Sequence, residues 1–270
     1  MIVEQMLKNA QTPLLHIDVS GSALFNADCM DILPLIPDKS VQLILADLPY
    51  GTTACKWDSI IDLDLLWKQY KRIIKDNGAI VLTASQPFTT DLINSNRDWF
   101  KYEMIWDKQQ GSNMYEATKR PLKSHENILF FYKTQPQYNA QMTPALSKNM
   151  RDRIKNKFKG VENGVYGKCN EYTPIKNENL RYPLSVYYHS SQANELHKTK
   201  RLHNTQKPKE LMMFIINSYT NENDMVLDNT MGSGTTCLAA KELNRKFIGI
   251  EKEPKYYEIA CQRCGFSITD

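Results

Sequence analysis

Long hydrophobic runs and a leader-like beginning are both missing from this sequence of 270 residues. A helix that spans a membrane needs about 20 consecutive apolar residues, and no such run occurs. A secretory signal places a basic segment before an apolar stretch, and residues 1–7 show no such arrangement. The sequence therefore predicts a cytoplasmic protein with no membrane partner.

Cysteine is scarce and scattered, with six residues of which Cys261 and Cys264 form the one closely spaced pair. A structural zinc site needs four ligands, so this pair would require two further ligands. We expect ordinary buried or terminal thiols in a reducing compartment, while a structural or redox role for the pair stays open. No metal site is predicted.

Two common phosphate-binding patterns are also absent, although a glycine-containing turn lies near the C-terminal end. Residues 224–236 predict a short buried strand, a turn containing Gly232 and Gly234, and the beginning of a helix. The spacing is not that of a dinucleotide-binding fingerprint, and no Lys follows Gly234 where a P-loop requires one. Glycine lets the backbone approach a ligand at a helix N-terminus, which favours a carboxylate or a phosphate. The segment predicts a cradle for a small-molecule cofactor.

The next predicted strand, residues 246–251, ends in Glu251. In doubly wound sheets an acid at this place commonly accepts hydrogen bonds from ribose hydroxyls. A nucleoside cofactor with a carboxylate and no phosphate fits both features, and S-adenosylmethionine has this chemistry.

A second candidate site follows the apolar run 41–46, where the sequence reads Asp47, Leu48, Pro49, Tyr50. The exocyclic amine of a nucleobase is a poor nucleophile, so acceptors must be aimed at its hydrogens, and Asp47 with a nearby main-chain carbonyl can do this. Pro49 restricts the turn, and Tyr50 offers a flat face on which an extruded base can stack. Taken alone, however, this tetrapeptide is more often an ordinary turn.

Four segments together resemble motifs of the amino-group DNA methyltransferases, which transfer a methyl group from S-adenosylmethionine to adenine N6 or cytosine N4. Residues 47–50 resemble the motif [DNS]-P-P-[YFW], and residues 228–236 resemble D-P-F-x-G-S-G-T-T. Residues 203–208 are similar to H-P-T-Q-K-P, and residues 125–133 to H-E-x-I-L-x-[FY]-x-K. The catalytic motif comes first and the cofactor motif last, which is the order of the family's beta class.

Departures from these motifs change packing more than chemistry. Leu48, Asn204 and Asn229 stand where the family has proline, and Thr230 stands where it has phenylalanine. The acid, the aromatic residue and both glycines remain, so we expect an active enzyme. The missing prolines leave open a catalytically inert module that binds DNA or senses the cofactor.

The resemblance implies a role for each matching residue. Asp47 and the main-chain carbonyl of Leu48 would hold the target amine, with Pro49 shaping the turn and Tyr50 stacking on the base. The predicted cofactor-binding residues are Asp28, Thr205, Gln206, Lys207, Asp228, Asn229, Thr230, Gly232, Ser233, Gly234, Thr235, Thr236 and Glu251. Asp28 is equally well interpreted as a helix N-cap, and Lys207 as a solvated residue at the beginning of a helix. Within the family Asp at the first motif position favours adenine and Ser favours cytosine, so Asp47 favours adenine N6, with cytosine N4 as the alternative.

Positive charge is concentrated in the middle of the chain. Residues 134–205 contain twelve Lys and Arg against five Asp and Glu, whereas the whole chain has a net charge of +4. Basic residues neutralise phosphates, and Arg, Asn and Gln read base edges in the major groove. We predict that double-stranded DNA binds here and at residues 109–124, although both segments are also compatible with solvated loops. The predicted DNA-binding residues are Lys119, Arg120, Lys123, Arg151, Arg153, Lys155 and Lys157.

Apolar runs alternate with amphipathic segments, and this predicts an α/β fold with a doubly wound, mostly parallel sheet of seven strands. The predicted strands are residues 22–26, 41–47, 79–84, 103–107 and 127–133, with two more at 225 and 247. Helices are predicted at 62–75, ended by Asn77-Gly78, and at 208–219. With 41% hydrophobic residues, the chain can bury one large core or a core plus a smaller lobe.

The resemblance further implies a Rossmann-like methyltransferase fold with a circularly permuted motif order and an inserted target-recognition region. The catalytic half would be residues 1–133, the insert 134–202 and the cofactor half 203–270. Two strand ends, those at Asp47 and Asp228, would then meet in one cleft. A prokaryotic or phage source, a homodimer and a cognate restriction endonuclease are compatible with the resemblance.

Overall fold

The computed structural model describes residues 2–7, 14–17, 21–51, 60–144, 162–163, 167–168, 180–190 and 206–266. The strands are β1 Leu14–Ile17, β2 Ala23–Asn26, β3 Val41–Ala46, β4 Ile74–Ala84, β5 Phe100–Ser112, β6 Lys123–Phe131, β7 Thr143–Pro144, β8 Glu162–Asn163, β9 Gly167–Lys168, β10 Leu180–Arg181, β11 Val186–Tyr188, β12 Met225–Asp228 and β13 Lys246–Glu251. The α-helices are Ile2–Leu7, Cys29–Ile32, Leu63–Ile73, Phe88–Ser95, Lys209–Tyr219, Thr235–Glu242 and Pro254–Cys264, and short 3-10 helices span Leu33–Leu35 and Met114–Glu116.

Among the described residues, nine strands form the main sheet, in the order β1-β2-β13-β12-β3-β4-β6-β5-β11. Five adjacent pairs are parallel, and the pairs β1/β2, β4/β6 and β6/β5 are antiparallel. The predicted α/β class with a mostly parallel sheet is confirmed, but the predicted number of seven strands is wrong. The two additional strands, β1 and β11, lie at the edges of the sheet and are only four and three residues long, so their apolar pattern is too short to be recognised.

Both faces of the sheet are covered, which is why the central strands β3 and β12 are buried along their whole length and are mostly apolar. All six residues of β3 are buried. Ile44 packs into the cluster that contains Leu66 and Tyr70 of helix Leu63–Ile73. Leu45, one residue further, packs into the cluster that contains Ile215 of helix Lys209–Tyr219. This alternation between neighbouring residues places helices on opposite faces, as in a doubly wound sheet.

The helix Leu63–Ile73 begins where the sequence predicts, because Asp62 caps it by accepting a hydrogen bond from the Leu65 main-chain nitrogen at 3.1 Å. Its predicted end is wrong. Strand β4 begins at Ile74, directly after the helix, and Asn77-Gly78 lies within that strand. The Ile74 position already pairs with Val41 of β3 across an irregularity in register, so strand pairing replaces the glycine stop.

The chain divides into two compact units, Met1–Asn139 with Ser185–Asp270, and Ala140–Leu184. The second unit falls within the predicted insert 134–202, and its described residues form two small antiparallel pairs, β7 with β10 and β8 with β9. Tyr187, a residue of the predicted insert, belongs to the first unit, where β11 extends the main sheet beside β5. Within the described ranges, no helix combines the length and the apolar character that crossing a membrane requires.

Candidate active site

Asp47 follows β3 directly and lies at the carboxyl edge of the sheet, where three side chains hold its carboxylate. Its Oδ1 accepts hydrogen bonds from the hydroxyls of Tyr50, at 2.7 Å, and Thr83 of β4. Its Oδ2 faces the ammonium of Lys207 at 2.5 Å. The tetrapeptide is therefore more than a turn, because its acid is fixed by its own Tyr50 and by two residues from distant segments of the chain, Thr83 and Lys207.

Lys207 lies between two carboxylates. Its Nζ is 2.5 Å from Asp47 Oδ2 and 3.3 Å from Glu126 Oε2, and Lys108 approaches the other oxygen of Glu126 at 2.5 Å. Burial disfavours the charged form of Lys207, but the two carboxylates outweigh it and raise the pKa of the ammonium. Burial also works to raise the pKa of Glu126, but Lys207 and Lys108 outweigh it and hold that pKa below its ordinary value. The four groups form a chain of alternating charges.

The ring of Tyr50, predicted to stack on a base, packs against Phe88 with centroids 5.4 Å apart and an interplanar angle of 25°. The Lys207 ammonium lies 5.9 Å from the centroid of the same ring. Burial raises the pKa of Tyr50 well above its ordinary value, so its hydroxyl stays a neutral donor to Asp47. Leu48 is buried in the core beside helix Leu63–Ile73, whereas Pro49 is half-buried. Leu48 thus fills space where the family has a proline.

The glycine turn between β12 and helix Thr235–Glu242 has the backbone conformation that glycine favours. Gly232 has φ 52° and Gly234 has φ 76°, both in the left-handed region. A Cβ at Gly234 would also lie 2.8 Å from Cβ of Ala260, in the last helix. Gly232 donates its main-chain N–H to Glu251 Oε2 at 2.9 Å, which ties the turn to the end of β13.

The two sequence-distant motifs meet at this edge of the sheet, as predicted. Strands β12 and β3 are parallel neighbours, with Val226 opposite Leu43. Beyond their ends, the hydroxyl of Thr230 donates to the main-chain oxygen of Asp47 at 3.1 Å. Asp228 Oδ1 accepts from the Thr230 main-chain nitrogen at 3.2 Å, so Asp228 orients the turn.

A buried donor near the turn fits a small polar ligand. Asn229 is 1% exposed, and its side-chain oxygen accepts from the Tyr70 hydroxyl at 2.5 Å. Its amide nitrogen has no oxygen or nitrogen acceptor among the described residues, and the Cys29 sulfur beside it is a weak acceptor. A buried donor with so weak a partner is costly unless a ligand accepts from it. Together with the left-handed glycines and the helix N-terminus, it matches a cofactor that carries acceptor groups.

The remaining predicted cofactor residues are placed with varying proximity to the turn. Ser233 is buried in the turn, and Thr235 and Thr236 are buried at the beginning of the following helix. Arg263 of the last helix donates to the Ser233 main-chain oxygen at 2.6 Å. Asp28 is the N-cap of helix Cys29–Ile32, accepting from the Met30 nitrogen at 2.9 Å, which supports its second interpretation. Thr205 lies outside the described residues, and Gln206 precedes Lys207 and is half-buried.

The two ends of the predicted DNA-contacting stretch 109–124 belong to the β5–β6 hairpin, because β5 runs to Ser112 and β6 begins at Lys123. The interpretation as a loop is correct for residues 113–122, which connect the two strands and include the short 3-10 helix Met114–Glu116. Lys119 is exposed there, and Arg120 forms an ion pair with Glu116 one turn earlier. Burial lowers the pKa of Lys123. The other predicted DNA-binding residues lie outside the described residues: Arg151, Arg153, Lys155 and Lys157.

Sequence analysis missed three residues of this site: Thr83, Lys108 and Glu126. Glu126 lies in a motif that the resemblance had matched, so a signal existed although no role was attached to it. Thr83 lies in an apolar strand, and Lys108 directly follows the predicted strand 103–107. No local sequence pattern marks either residue as part of a site. Among the described residues, no group of three or more His, Cys, Asp or Glu could hold a metal ion.

Comparison with known proteins identifies the family to which this chain belongs. The family model for N6/N4 methyltransferases, described as DNA methylase, matches residues 41–262. The chain belongs to the N6/N4 DNA methylase family. The family membership predicted from four motifs is thereby confirmed.

Similar proteins support the same family and fold. The Type II methyltransferase M1.MboII of Moraxella bovis is 32% identical to this DNA methylase over 246 residues, which covers 85% of this chain and 91% of the relative. A crystal structure of an M1.HpyAVI-SAM complex has a TM-score of 0.57 and 26% identity, covering 89% and 97% of the two chains. The cytosine-N4-specific PvuII DNA methyltransferase, at 18% identity and a TM-score of 0.64, shares the fold over 92% of this chain and 86% of its own.

Proposed function

We propose that this DNA methylase transfers a methyl group from S-adenosylmethionine to N6 of an adenine that is flipped out of double-stranded DNA. Membership of the family makes the protein a site-specific N6/N4 DNA methyltransferase, and the adenine base is the finer part of the proposal. The observation that carries it is the carboxylate of Asp47 at the end of β3, because the resemblance associates an acid at this position with adenine and a serine with cytosine.

The cofactor is S-adenosylmethionine, and its bound sulfonium group supplies an electrophilic methyl group. We assign its binding to the turn 228–236 together with Glu251. The helix Thr235–Glu242 begins directly after the left-handed Gly234, and a carboxylate is favoured at the N-terminus of a helix. Burial raises the pKa of Glu251, and an acid at this strand end suits ribose hydroxyls.

Asp47 is proposed to orient the target amine. A carboxylate oxygen and the main-chain oxygen of Leu48 accept the two amine hydrogens, which directs the nitrogen lone pair out of the ring plane. Thr83 and Tyr50 hold the carboxylate through its other oxygen, so the orientation of the carboxylate is set before the amine arrives. After attack the nitrogen carries a proton that must leave, and Asp47 Oδ2 is the nearest acceptor in this arrangement.

Tyr50 is proposed to support the flipped base. Because Phe88 already packs against its ring, the pair forms a rigid aromatic wall and not a single mobile side chain. The β5–β6 hairpin rises from Lys108 and Glu126 to a tip where Met114 and Tyr115 are 67% and 80% exposed. Apolar side chains at an exposed tip suit contact with unstacked bases, so we assign the hairpin to DNA near the flipped base.

The basic insert is proposed to carry most of the phosphate contacts. Replacing Arg151, Arg153, Lys155 and Lys157 with Ala should weaken DNA binding and reduce the log–log salt slope by about one per lost phosphate contact. Cofactor affinity should not change. An unaltered slope with unaltered site preference would assign recognition to the hairpin or to other parts of the insert.

One incubation tests the proposal itself. Purified protein is mixed with labelled S-adenosylmethionine and unmethylated DNA of mixed sequence, and the product nucleosides are separated by mass. We expect N6-methyladenine. N4-methylcytosine as the product would mean that the enzyme is a methyltransferase of the same fold that acts on cytosine. No incorporation of label would favour the remaining alternative, a catalytically inert module that binds DNA or senses the cofactor.

Three predictions about the protein's surroundings belong to the same proposal. Relatives named as Type II methyltransferases motivate a cognate restriction endonuclease with the same recognition site. The other two predictions are a homodimer and a cytoplasmic location in a prokaryotic or phage-infected cell. Sedimentation of the purified protein at several concentrations tests the dimer directly.

A further inference from the structure

The carboxylate of Asp47 has only one side open to a target amine. Its Oδ1 already accepts two hydroxyl hydrogen bonds, from Tyr50 and Thr83. An amine that donates to Asp47 must therefore use Oδ2, and the ammonium of Lys207 lies 2.5 Å from that atom. Lys207 thus occupies the position that the proposed substrate needs.

Charge makes this position a problem for catalysis as well as for binding. In the proposed reaction the nitrogen lone pair forms a bond to the methyl carbon while the carbon–sulfur bond breaks and its electron pair stays on sulfur. The nitrogen becomes positive until its proton leaves. An ammonium beside Asp47 would repel that developing charge in a poorly solvated site. Lys207 must be drawn away or neutralised before methyl transfer.

Glu126 is placed to do both. Its Oε2 lies 3.3 Å from the Lys207 Nζ, on a strand that neighbours β4 and therefore Thr83. Its other oxygen is 2.5 Å from Lys108, and the side chains of Glu126 and Lys108 are 14% and 16% exposed. Glu126 is thus fixed by a second cation, whereas Lys207 has a flexible four-carbon stem that can shift between neighbouring acceptors.

We propose that Glu126 is a positioning residue for methyl transfer, taking the Lys207 ammonium from Asp47 when the target amine binds. In the structure without substrate, Lys207 neutralises Asp47. With the target amine on Asp47 Oδ2, Lys207 pairs with Glu126. The positive charge that develops on the amine nitrogen then faces the carboxylate of Asp47 without the Lys207 ammonium beside it. This inference rests on the proposed function and assigns a role to a motif residue that the proposal above does not use.

The role predicts a loss in turnover that leaves cofactor binding unchanged. Glu126→Gln removes the negative charge at similar volume, so Lys207 should remain on Asp47 throughout the reaction. We expect kcat to fall on the order of tenfold or more, with the cofactor Kd within about threefold of wild type, because Lys207 would still occupy Asp47 Oδ2 and would repel the nitrogen as it becomes charged. Any rise in KM for DNA should be smaller than the loss in kcat, since the target amine is only one of the contacts that hold the duplex. Glu103→Gln is the matched control, since Glu103 lies on β5 of the same hairpin and accepts from Asn127 at 2.8 Å.

A double-mutant cycle separates this role from a merely structural one. In a Lys207→Met background no ammonium remains to be moved, so Glu126→Gln should change kcat by less than about threefold. Glu126→Asp keeps the charge and should retain most of the wild-type kcat. Equal losses from Glu126→Gln in both backgrounds, or no loss in either, would overturn the proposal.

A second measurement needs no variant and covers the case in which Glu126→Gln does not fold. In a structure of the wild-type protein with S-adenosylhomocysteine and DNA containing the target base, Lys207 Nζ should lie closer to Glu126 than to Asp47. A Lys207 that still contacts Asp47 Oδ2 beside a bound amine would contradict the inference. The failures are distinguishable, because a wild-type enzyme that methylates DNA sustains the proposed function whatever this cycle shows.

Discussion

Two pairs of carboxylates at the carboxyl edge of the same sheet are held in opposite ways. Asp228 and Glu251, at the ends of β12 and β13, accept hydrogen bonds from main-chain nitrogens of the glycine turn and of Glu253, and Asp228 also accepts one from the Thr236 side chain. Asp47 and Glu126 are held by side chains instead, chiefly by Lys207. Burial raises the pKa of Asp228 to about 7 and also raises that of Glu251, whereas the two lysines lower the pKa of Glu126.

We propose that the first pair, Asp228 and Glu251, holds the cofactor and that the second pair, Asp47 and Glu126, takes part in methyl transfer. A main-chain donor cannot leave without unfolding the turn, so Asp228 and Glu251 fix the geometry of the turn that is the proposed cofactor cradle. A lysine ammonium can exchange partners by rotating its stem, so Asp47 and Glu126 can change partners during a reaction cycle. Substitutions at the two pairs should therefore affect different quantities.

The largest expected effect is on the free energy of unfolding, through the carboxyl group of Asp228. The pKa of Asp228 is about 7 against an ordinary value of 3.8, so the folded protein binds a proton between these values that the unfolded chain has released. This contribution to stability is fully present below about pH 4 and is lost as the pH rises through 7. The whole shift corresponds to about 4 kcal/mol in the free energy of unfolding.

Asp228→Asn should abolish this pH dependence while keeping an acceptor for the Thr230 nitrogen. Urea denaturation of both proteins between pH 4 and 8 measures it, and the variant should gain stability relative to wild type as the pH rises. Parallel profiles would mean that Asp228 is ionised throughout this range in the folded protein, and the comparison with Glu126 would then lose its basis.

A smaller effect is expected from strain in the cradle. Gly232→Val places a β-branched side chain at φ 52°, which costs about 1–3 kcal/mol and should weaken cofactor binding roughly five- to 150-fold. Gly232→Asn is the matched control, because Asn tolerates the left-handed region better and should lose less affinity. Calorimetric titration measures both. A folded Val variant with normal affinity would move the cofactor site away from this turn.

The smallest effect concerns the support behind the cradle. Arg263 donates from one nitrogen to the Ser233 main-chain oxygen and to the hydroxyls of Ser233 and Thr235, at 2.6, 3.1 and 3.1 Å. Loss of such bonds typically costs about 0.5–1.5 kcal/mol, so Arg263→Met should weaken cofactor binding about two- to tenfold. Arg245→Met, which removes contacts to Thr220 and Leu243 instead, should leave it unchanged. Equal losses from the two variants would point to general destabilisation.

The part of the site formed by the glycine turn and Glu251 was largely predictable from the sequence. A buried strand, two glycines and an acid at the next strand end are local signals, and the structure places Gly232 and Glu251 in direct contact. Their roles toward the cofactor stay predictions. The adjacency of β12 and β3 also followed, because it depends on the order of strands and not on individual contacts.

The contacts among Asp47, Glu126 and Lys207 could not be predicted in the same way. Lys207 and Asp47 are 160 residues apart in the chain, and no local pattern shows that an ammonium will lie between two carboxylates. Lys207 was expected either to bind the cofactor or to be a solvated residue at the beginning of a helix. The second interpretation is wrong, because Lys207 is buried, and its ammonium is engaged by Asp47 and Glu126, so its cofactor role stays a prediction. Strand β11 was missed for a related reason, since three residues in a polar segment join the sheet only through pairing with β5.

The division between the two carboxylate pairs is tested most directly by measuring kcat and cofactor Kd for two matched amide variants, Asp47→Asn and Glu251→Gln. Asp47→Asn should reduce kcat by about a hundredfold or more and leave the cofactor Kd within about threefold of wild type. Glu251→Gln should raise the cofactor Kd about tenfold or more and retain most of the turnover at saturating cofactor. If Asp47→Asn turned over normally, or if both variants lost cofactor affinity equally, the proposed separation of chemistry from cofactor binding would be contradicted.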